Sequence, residues 1–577
     1  MTNMTVQRDT LKSKVSCEST SFSMPPDYAS NHDTHPSDSE SEWTKNHNAK
    51  TFCINTLTAM YALILTMVAC VIEISPTWRS DEMWLAYSIF CVLMYAVAVA
   101  NFIYLYLFVL YPNIINTCIY HLFRKGFLKY PARYLLDEPV YNGEGAGTMY
   151  LRVGALFFGS MGSVLWGTEI LLCFFEHQRH GIYVVKYILA LVFTYLQMHF
   201  IFSNSKISLK RTNVLAKFGL MHCIAVNLWT WLSICLIKSS IKHVKKEIKY
   251  AQEELRNMTA HNATATTATM PVWSYDFTAE FEPHDKQLRA IIKIGSNSNL
   301  LLTCLVEFSL IAAAICFIIW KNDDPNPGEV PKKAKKKEVR FDCTGTSTGI
   351  FLAIMVHIGS TVVISMHGIL NRSEKSKAAD LLVGWAEIFL FTITLLACFL
   401  AFFRMRKLHY RLHAHGEVID EILLIVGLAG ECVYSCAGMD LYFNDKLLDT
   451  SPPVITIIAF ALRITEVVVQ TVFILFASRM RCYTMANRTR QPGKQVITFL
   501  LVCNINLFIY HSFESMESNF GFPVNLPSNY SIMLNIASPI VVFYRFHSSA
   551  CLAEIWKHTY SRKNHDGSES SLTIDKM

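Results

Sequence analysis

Hydrophobic runs of about 20 residues, the length needed to cross a bilayer, recur along the whole chain and are separated by polar loops. They fall near 52–74, 84–111, 150–174, 182–203, 216–237, 297–320, 348–370, 379–403, 420–442, 453–478, 495–514 and 530–551. The pattern predicts an all-α polytopic membrane protein of about twelve helices. The fourth and fifth runs flank the short basic stretch 204–217 and form a helical hairpin. Both runs carry polar groups: Gln197 and His199 on one side of the turn, His222 and Asn227 on the other. At 1.5 Å per residue, Gln197 and His222 both lie roughly 9 Å into the hydrocarbon and Asn227 roughly 16 Å. Such groups need partners or water in oil, so a polar layer at matched depth hints at a buried hydrophilic path.

The loops orient the helices. Basic residues gather in 121–133, 206–217, 332–337, 404–407 and 479–494, all on one side, which is therefore cytoplasmic along with both termini. The outer loop 371–377 runs against this trend with three basic residues and is outvoted. The glycosylation signals at Asn257 and Asn262 sit in the long outer loop and agree with the orientation. Signals at Asn487, on the inner side, and Asn529, close to the membrane, are expected to stay unmodified.

The chain divides into a polar cytoplasmic tail at 1–51, a first six-helix half at 52–320 with its extracellular loop at 238–296, and a basic linker at 321–347. A second six-helix half at 348–556 and a cytoplasmic tail at 557–577 complete it. No residue-level repeat relates the halves, and no secretory leader opens the chain, so the first span is expected to serve as its own insertion signal.

Composition narrows the class. Of 577 residues, 52% are hydrophobic and 17% charged, well below the usual quarter for soluble proteins. The net charge of +7 lies in loops at helix ends, where topology explains it without nucleic acid. The 17 cysteines sit mostly in or beside apolar runs and read as small hydrophobic side chains, so disulfides are not expected to organise the fold. His409, His413 and His415 lack the further histidine boxes of a membrane di-iron enzyme, and there is neither a carbonyl selectivity filter nor a Gly-rich phosphate loop. The reading is therefore a protein that is not an enzyme and carries no cofactor or metal.

Several charged residues lie inside the runs. Arg463, Glu466 and Gln470 share one helical face, which reads either as a self-neutralising Arg463–Glu466 pair that stabilises the bundle or as the lining of a hydrated cavity. Asn504 with His511, and Asn506 with Tyr510, mark two polar faces of the eleventh run. Glu169, Glu307 and Glu387 are lone carboxylates that must be protonated, paired or hydrated, and a proton relay needs groups of this kind. Glu176, His177 and His180 cluster in an outer loop, where a histidine can sense acid.

The stretches Gly143–Ala155, Gly167–Glu169, Leu196–Lys206, Phe218–His222, Asn227–Trp229, Phe341–Gly345 and Phe543–Ser549, with the Glu466 and Gln470 helix, resemble the otopetrins, a family of proton-selective channels. The resemblance implies a plasma-membrane homodimer of twelve-helix subunits, each forming two barrel-like halves amid membrane lipid that includes sterol. It implies proton influx driven by external acid, with a proton-coupled secondary transporter as the rival reading. It also implies a Gln, Asn and Tyr constellation between the halves, to which Gln197 and either Asn504 or Asn506 fit by position while the Tyr stays unassigned. Glu307 fits a family acidic residue and is expected to pass protons; Arg545 matches the Arg of a Phe-Tyr-Arg element and either repels cations or pairs with a carboxylate. His199 departs from an expected aromatic residue and is grouped with the pH-sensing positions.

Overall fold

The computed structural model describes residues 47–79, 82–127, 130, 134–141, 146–175, 181–209, 213–262, 296–322, 346–372, 376–410, 418–443, 454–516 and 528–560. Twelve helices are long and apolar enough to cross a membrane. They are α1 (His47–Ile74), α2 (Trp84–Tyr104), α3 (Met149–Phe175), α4 (Gly181–Ser203), α5 (Val214–Asn262) and α6 (Ser296–Lys321). The remaining six are α7 (Ser347–Arg372), α8 (Ser376–Met405), α9 (Val418–Phe443), α10 (Val454–Ala477), α11 (Lys494–Met516) and α12 (Ser528–Thr559). A membrane offers the backbone no water, and continuous helices satisfy every amide internally.

Boundaries depart from the hydropathy reading at two places. The fifth helix does not stop near 237 but continues to Asn262, so the segment expected as a loop from 238 begins inside a helix and contains Asn257 and, as its last residue, Asn262. The last helix runs to Thr559. Polar residues end a hydropathy window, yet they keep a helix going wherever the backbone bonds continue. At its inner end α2 passes into a π-helical turn, Leu105–Leu110, which Pro112 closes as it starts a short surface helix, Pro112–Arg124.

The packing order repeats. In the first six helices α1 lies on α5, α5 on α6, α6 on α3, α3 on α4, α4 on α2, and α2 returns to α5. Adding six to every number gives the second set: α7 on α11, α11 on α12, α12 on α9, α9 on α10, α10 on α8, and α8 back on α11. In each set the first helix is the least buried and the sixth the most. The apolar core divides along the same line. One large cluster comes from the first half of the chain with Leu423 and Phe543 added, and another, including Phe391, Phe473 and Leu500, comes wholly from the second half.

The two sets meet where α12 packs on α3 and α5, and where α6 packs on α9, α11 and α12. Gly154 makes this approach possible: a Cβ there would stand 2.1 Å from the Phe546 ring. Asn535 donates to Ser239 Oγ at 2.9 Å, tying α12 to α5. Just past the ends of α8 and α10 a two-residue strand β1 (His409–Tyr410) pairs antiparallel with β2 (Met480–Arg481). Arg479 and Glu421 join the same region at 3.0 Å. Cys482, just outside the spans, has its thiol pushed up to about 11 by burial, and the described cysteines are all free.

Candidate functional site

The interior of the second helix set holds a group of fully enclosed charges. Arg463 on α10 donates from Nε to Glu431 Oε2 of α9 at 2.8 Å, and its Nη1 lies 3.3 Å from Glu514 Oε1 of α11. Glu514 also accepts from the Tyr434 hydroxyl at 2.7 Å and from His511 Nδ1 at 2.5 Å. Arg545 on α12 donates from Nη1 to Glu466 Oε2 at 2.8 Å, and its Nε stands 2.9 Å from Glu431 Oε1. Glu387 of α8 is buried within electrostatic reach of Arg463, Glu431 and Glu514.

The self-neutralising pair is thus not formed. Arg463 and Glu466 share a helix face but turn to different partners, Arg463 to α9 and α11, Glu466 to α12. Interhelical pairing wins because guanidinium forks reach two carboxylates across a helix gap with full hydrogen-bond geometry, whereas neighbours on one helix meet side by side. Glu431 bridges the two arginines.

The group contains four carboxylates, Glu387, Glu431, Glu466 and Glu514, against two guanidiniums, with His511 beside them. Carrying the full excess of negative charge in a low-dielectric interior is costly. Several of its polar atoms find no partner among the described residues: Glu387 Oε1, Glu466 Oε1, Arg545 Nη2 and His511 Nε2. Buried groups of this kind bind water, which is the medium a proton needs.

Next to this group, Gln470 and Asn504 form a reciprocal amide pair, Nε2 to Oδ1 at 3.0 Å and Nδ2 to Oε1 at 2.9 Å. Tyr544 completes it: its hydroxyl donates to Val467 O at 3.0 Å, receives Thr471 Oγ1 at 2.9 Å and lies 3.5 Å from Gln470 Nε2. Gln470, Asn504 and Tyr544 thus form a Gln–Asn–Tyr cluster within α10, α11 and α12, and Gln197 does not belong to it. Asn506 faces α7 instead, accepting from His357 Nδ1 at 2.7 Å and Ser360 Oγ at 2.6 Å. Replacing Gln470 with Ala strands the Asn504 Oδ1 acceptor and is expected to lower stability by about 1–3 kcal/mol, read as an earlier melt of the purified protein.

The first set is built differently. Gln197 is fully buried; its Nε2 reaches only Cys316 Sγ, at 3.5 Å, and its Oε1 has no protein partner. His222 is a bridge: Nε2 donates to Met94 O at 3.0 Å and Nδ1 shares a 2.9 Å hydrogen bond with the Tyr61 hydroxyl. Gln197 and His222, read as one layer, thus have separate partners. Asn227 bonds back to Cys223 O of its own helix at 2.7 Å, so it caps a local carbonyl. Glu169 is fully buried in α3. Glu73 of α1 accepts from Tyr87, Trp229 and Ser233 at 2.9–3.0 Å, a satisfied carboxylate toward the outer end.

Between the sets stands Glu307, fully buried, with neither carboxylate oxygen bonded among the described residues. One turn away Lys238 donates to Thr303 Oγ1 of α6 and Ser515 Oγ of α11, both at 2.9 Å, and lies within electrostatic range of Glu307. His199 is exposed on the outward face of α4, close to the inner turn, sharing a 2.5 Å hydrogen bond with Tyr106. Glu176, His177, His180, His413 and His415 lie outside the described residues.

Sequence reasoning missed Glu431, Glu514, Lys238 and Tyr544. Glu431 carried the same signal as Glu387, a lone carboxylate in mid-run. Glu514 and Lys238 sit where hydropathy fades and read as run ends. Tyr544 was in view within Phe-Tyr-Arg but had no visible partner.

A family model described as Otopetrin matches residues 150–546, more than half of the chain. Proton channel OtopLc of Drosophila melanogaster is 28% identical over 455 residues, 72% of this chain. The match covers 28% of that relative, so the chain spans little more than a quarter of the relative's length. The helices that carry the buried charges lie almost wholly within the matched range, and the chain belongs to the otopetrin family.

Proposed function

We propose that this protein is a proton-selective channel that admits H⁺ into the cell when the outside is acid. The observation that carries the reading is the enclosed group of Glu387, Glu431, Glu466, Glu514, His511, Arg463 and Arg545, in which carboxylates outnumber guanidiniums and polar atoms stay unbonded. Protons hop through side chains and bound water without a wide pore, and so dense a set of exchangeable sites suits nothing larger. The name of the Drosophila melanogaster relative, a proton channel, supports the same reading.

In this reading the two packing-equivalent helix sets are two barrel-like halves. Glu307, between them, takes and passes protons, as do the groups around Glu431. Gln197, Gln470 and Asn504 orient water, with Asn506, His222, Asn227 and Glu169 further along polar faces. Arg545, Arg463 and Lys238 hold positive charge that turns away metal cations. External acid acts through Glu176, His177 and His180, while His199 tunes the inner end. The protein works as a homodimer in the plasma membrane with both termini inside, glycosylated at Asn257 or Asn262.

The test is electrical. In a patch-clamped cell or a planar bilayer, the current is expected to reverse at a voltage that moves by about 60 mV for each unit of pH difference, since one pH unit is about 1.4 kcal/mol and 100 mV about 2.3 kcal/mol per charge. A reversal potential that follows sodium, potassium or chloride, or a current that requires a second solute, rejects the channel reading.

A further inference from the structure

An apolar groove of 1270 Å³ opens between α7 and α8 and is floored by the start of α11. Its walls are Leu352, Val356, Val363, Trp385, Phe389 and Ile393, with Trp385 and Phe389 turned outward. From Thr348 to Val363 it follows α7 for fifteen residues, on the order of 22 Å at 1.5 Å per residue, close to the reach of one extended acyl chain. These are also the helices that present the largest apolar faces to the bilayer in the second set.

The groove has one polar end, and that end is cationic. Arg404 closes α8 and Arg490 precedes α11; both line the groove, both are exposed, and neither meets a carboxylate among the described residues. No Asp or Glu lines the groove anywhere. Two helices begin at this same end, α7 at Ser347 and α11 at Lys494, so their partial positive charges add to the two guanidiniums. Lys494, buried beside them over the Trp556 ring, adds a third full charge.

We propose that this groove is a binding site for a phospholipid with an anionic headgroup, its phosphate between Arg404 and Arg490 and one acyl chain running past Gly359. The occupant follows from charge and shape together. A sterol has one hydroxyl and no use for two unpaired guanidiniums, whereas a phosphate diester accepts both. A zwitterionic lipid would bring its own cation against them. The basic loops of this end belong to the cytoplasmic side by the charge rule, the side where anionic lipids are enriched. The site stands apart from the buried charges, and its occupancy does not depend on whether the protein conducts protons.

Retention of phosphatidylglycerol and of phosphatidylcholine by the full-length protein, titrated separately in detergent and counted by native mass spectrometry, tests the assignment. One phosphatidylglycerol per chain is expected to stay bound at concentrations about tenfold below those needed for phosphatidylcholine, the preference of one strong ionic hydrogen bond. The double variant Arg404→Gln, Arg490→Gln is expected to lose that preference. Gly359→Phe is expected to weaken both lipids alike, because a Cβ at Gly359 meets nothing within 4 Å and the ring fills the tail channel without disturbing the helices. Equal retention of the two headgroups overturns the proposal, and so does a preference that survives loss of both arginines. Displacement of phosphatidylglycerol by cholesterol, or cross-linking of Trp385 to a second copy of the chain with no lipid retained, overturns it as well.

Discussion

Arg463→Met is expected to cost about 3–5 kcal/mol of stability and to appear as a sharply lowered apparent melting temperature of the purified protein. The reason is not the strength of the pair that is lost. Arg463 neutralises Glu431 at 2.8 Å and Glu514 at 3.3 Å, and all three side chains are buried, so its removal leaves carboxylates enclosed without their cation. Uncompensated buried charge is far more destabilising than a missing contact. Adding Glu431→Gln to Arg463→Met is therefore expected to restore part of the loss. If Arg463→Met melts with the parent protein, or the second substitution restores nothing, the charge group is not the tightly coupled unit described.

Glu307→Gln is expected to cut the proton current by about a hundredfold or more while leaving the helices packed, the lower end of what positioned proton-transfer groups contribute. Gln keeps the shape and hydrogen-bonding capacity of a protonated Glu but cannot take or release a proton. The structure favours a strong effect because Glu307 is fully buried and neither of its oxygens is bonded among the described residues, so folding has no visible need of its charge. A Gln there is expected to melt within about 1 kcal/mol of the parent protein. A current of normal size and unchanged pH dependence would remove Glu307 from the pathway and shift attention wholly to the group around Glu431.

The contrast between these two sites explains why they differed in legibility. A carboxylate in the middle of an apolar run, such as Glu307 or Glu387, is conspicuous because the membrane makes every charge expensive. Arg463 and Glu466 were equally visible, and their shared helix face suggested a wrong pairing. Sequence spacing reports only neighbours along one helix; it contains nothing about the helix opposite. Gln470, Asn504 and Tyr544 illustrate the same limit, for they come from three helices and become one constellation only when α10, α11 and α12 pack. Lys238 and Glu514 were hidden for another reason, since hydropathy treats a charge at the edge of a run as the water boundary although both side chains are buried.

What the sequence by itself determined was the number of membrane helices and their approximate limits. Those properties depend on transfer of short segments between water and oil, a local free energy that each run sets alone. Only the tertiary structure decided that the order of helix neighbours in α1–α6 recurs in α7–α12, because that likeness lies in packing and left no residue-level repeat. It alone decided which acid meets which base, since a buried ion pair is fixed by geometry across helices, at distances where an ångström changes the partner.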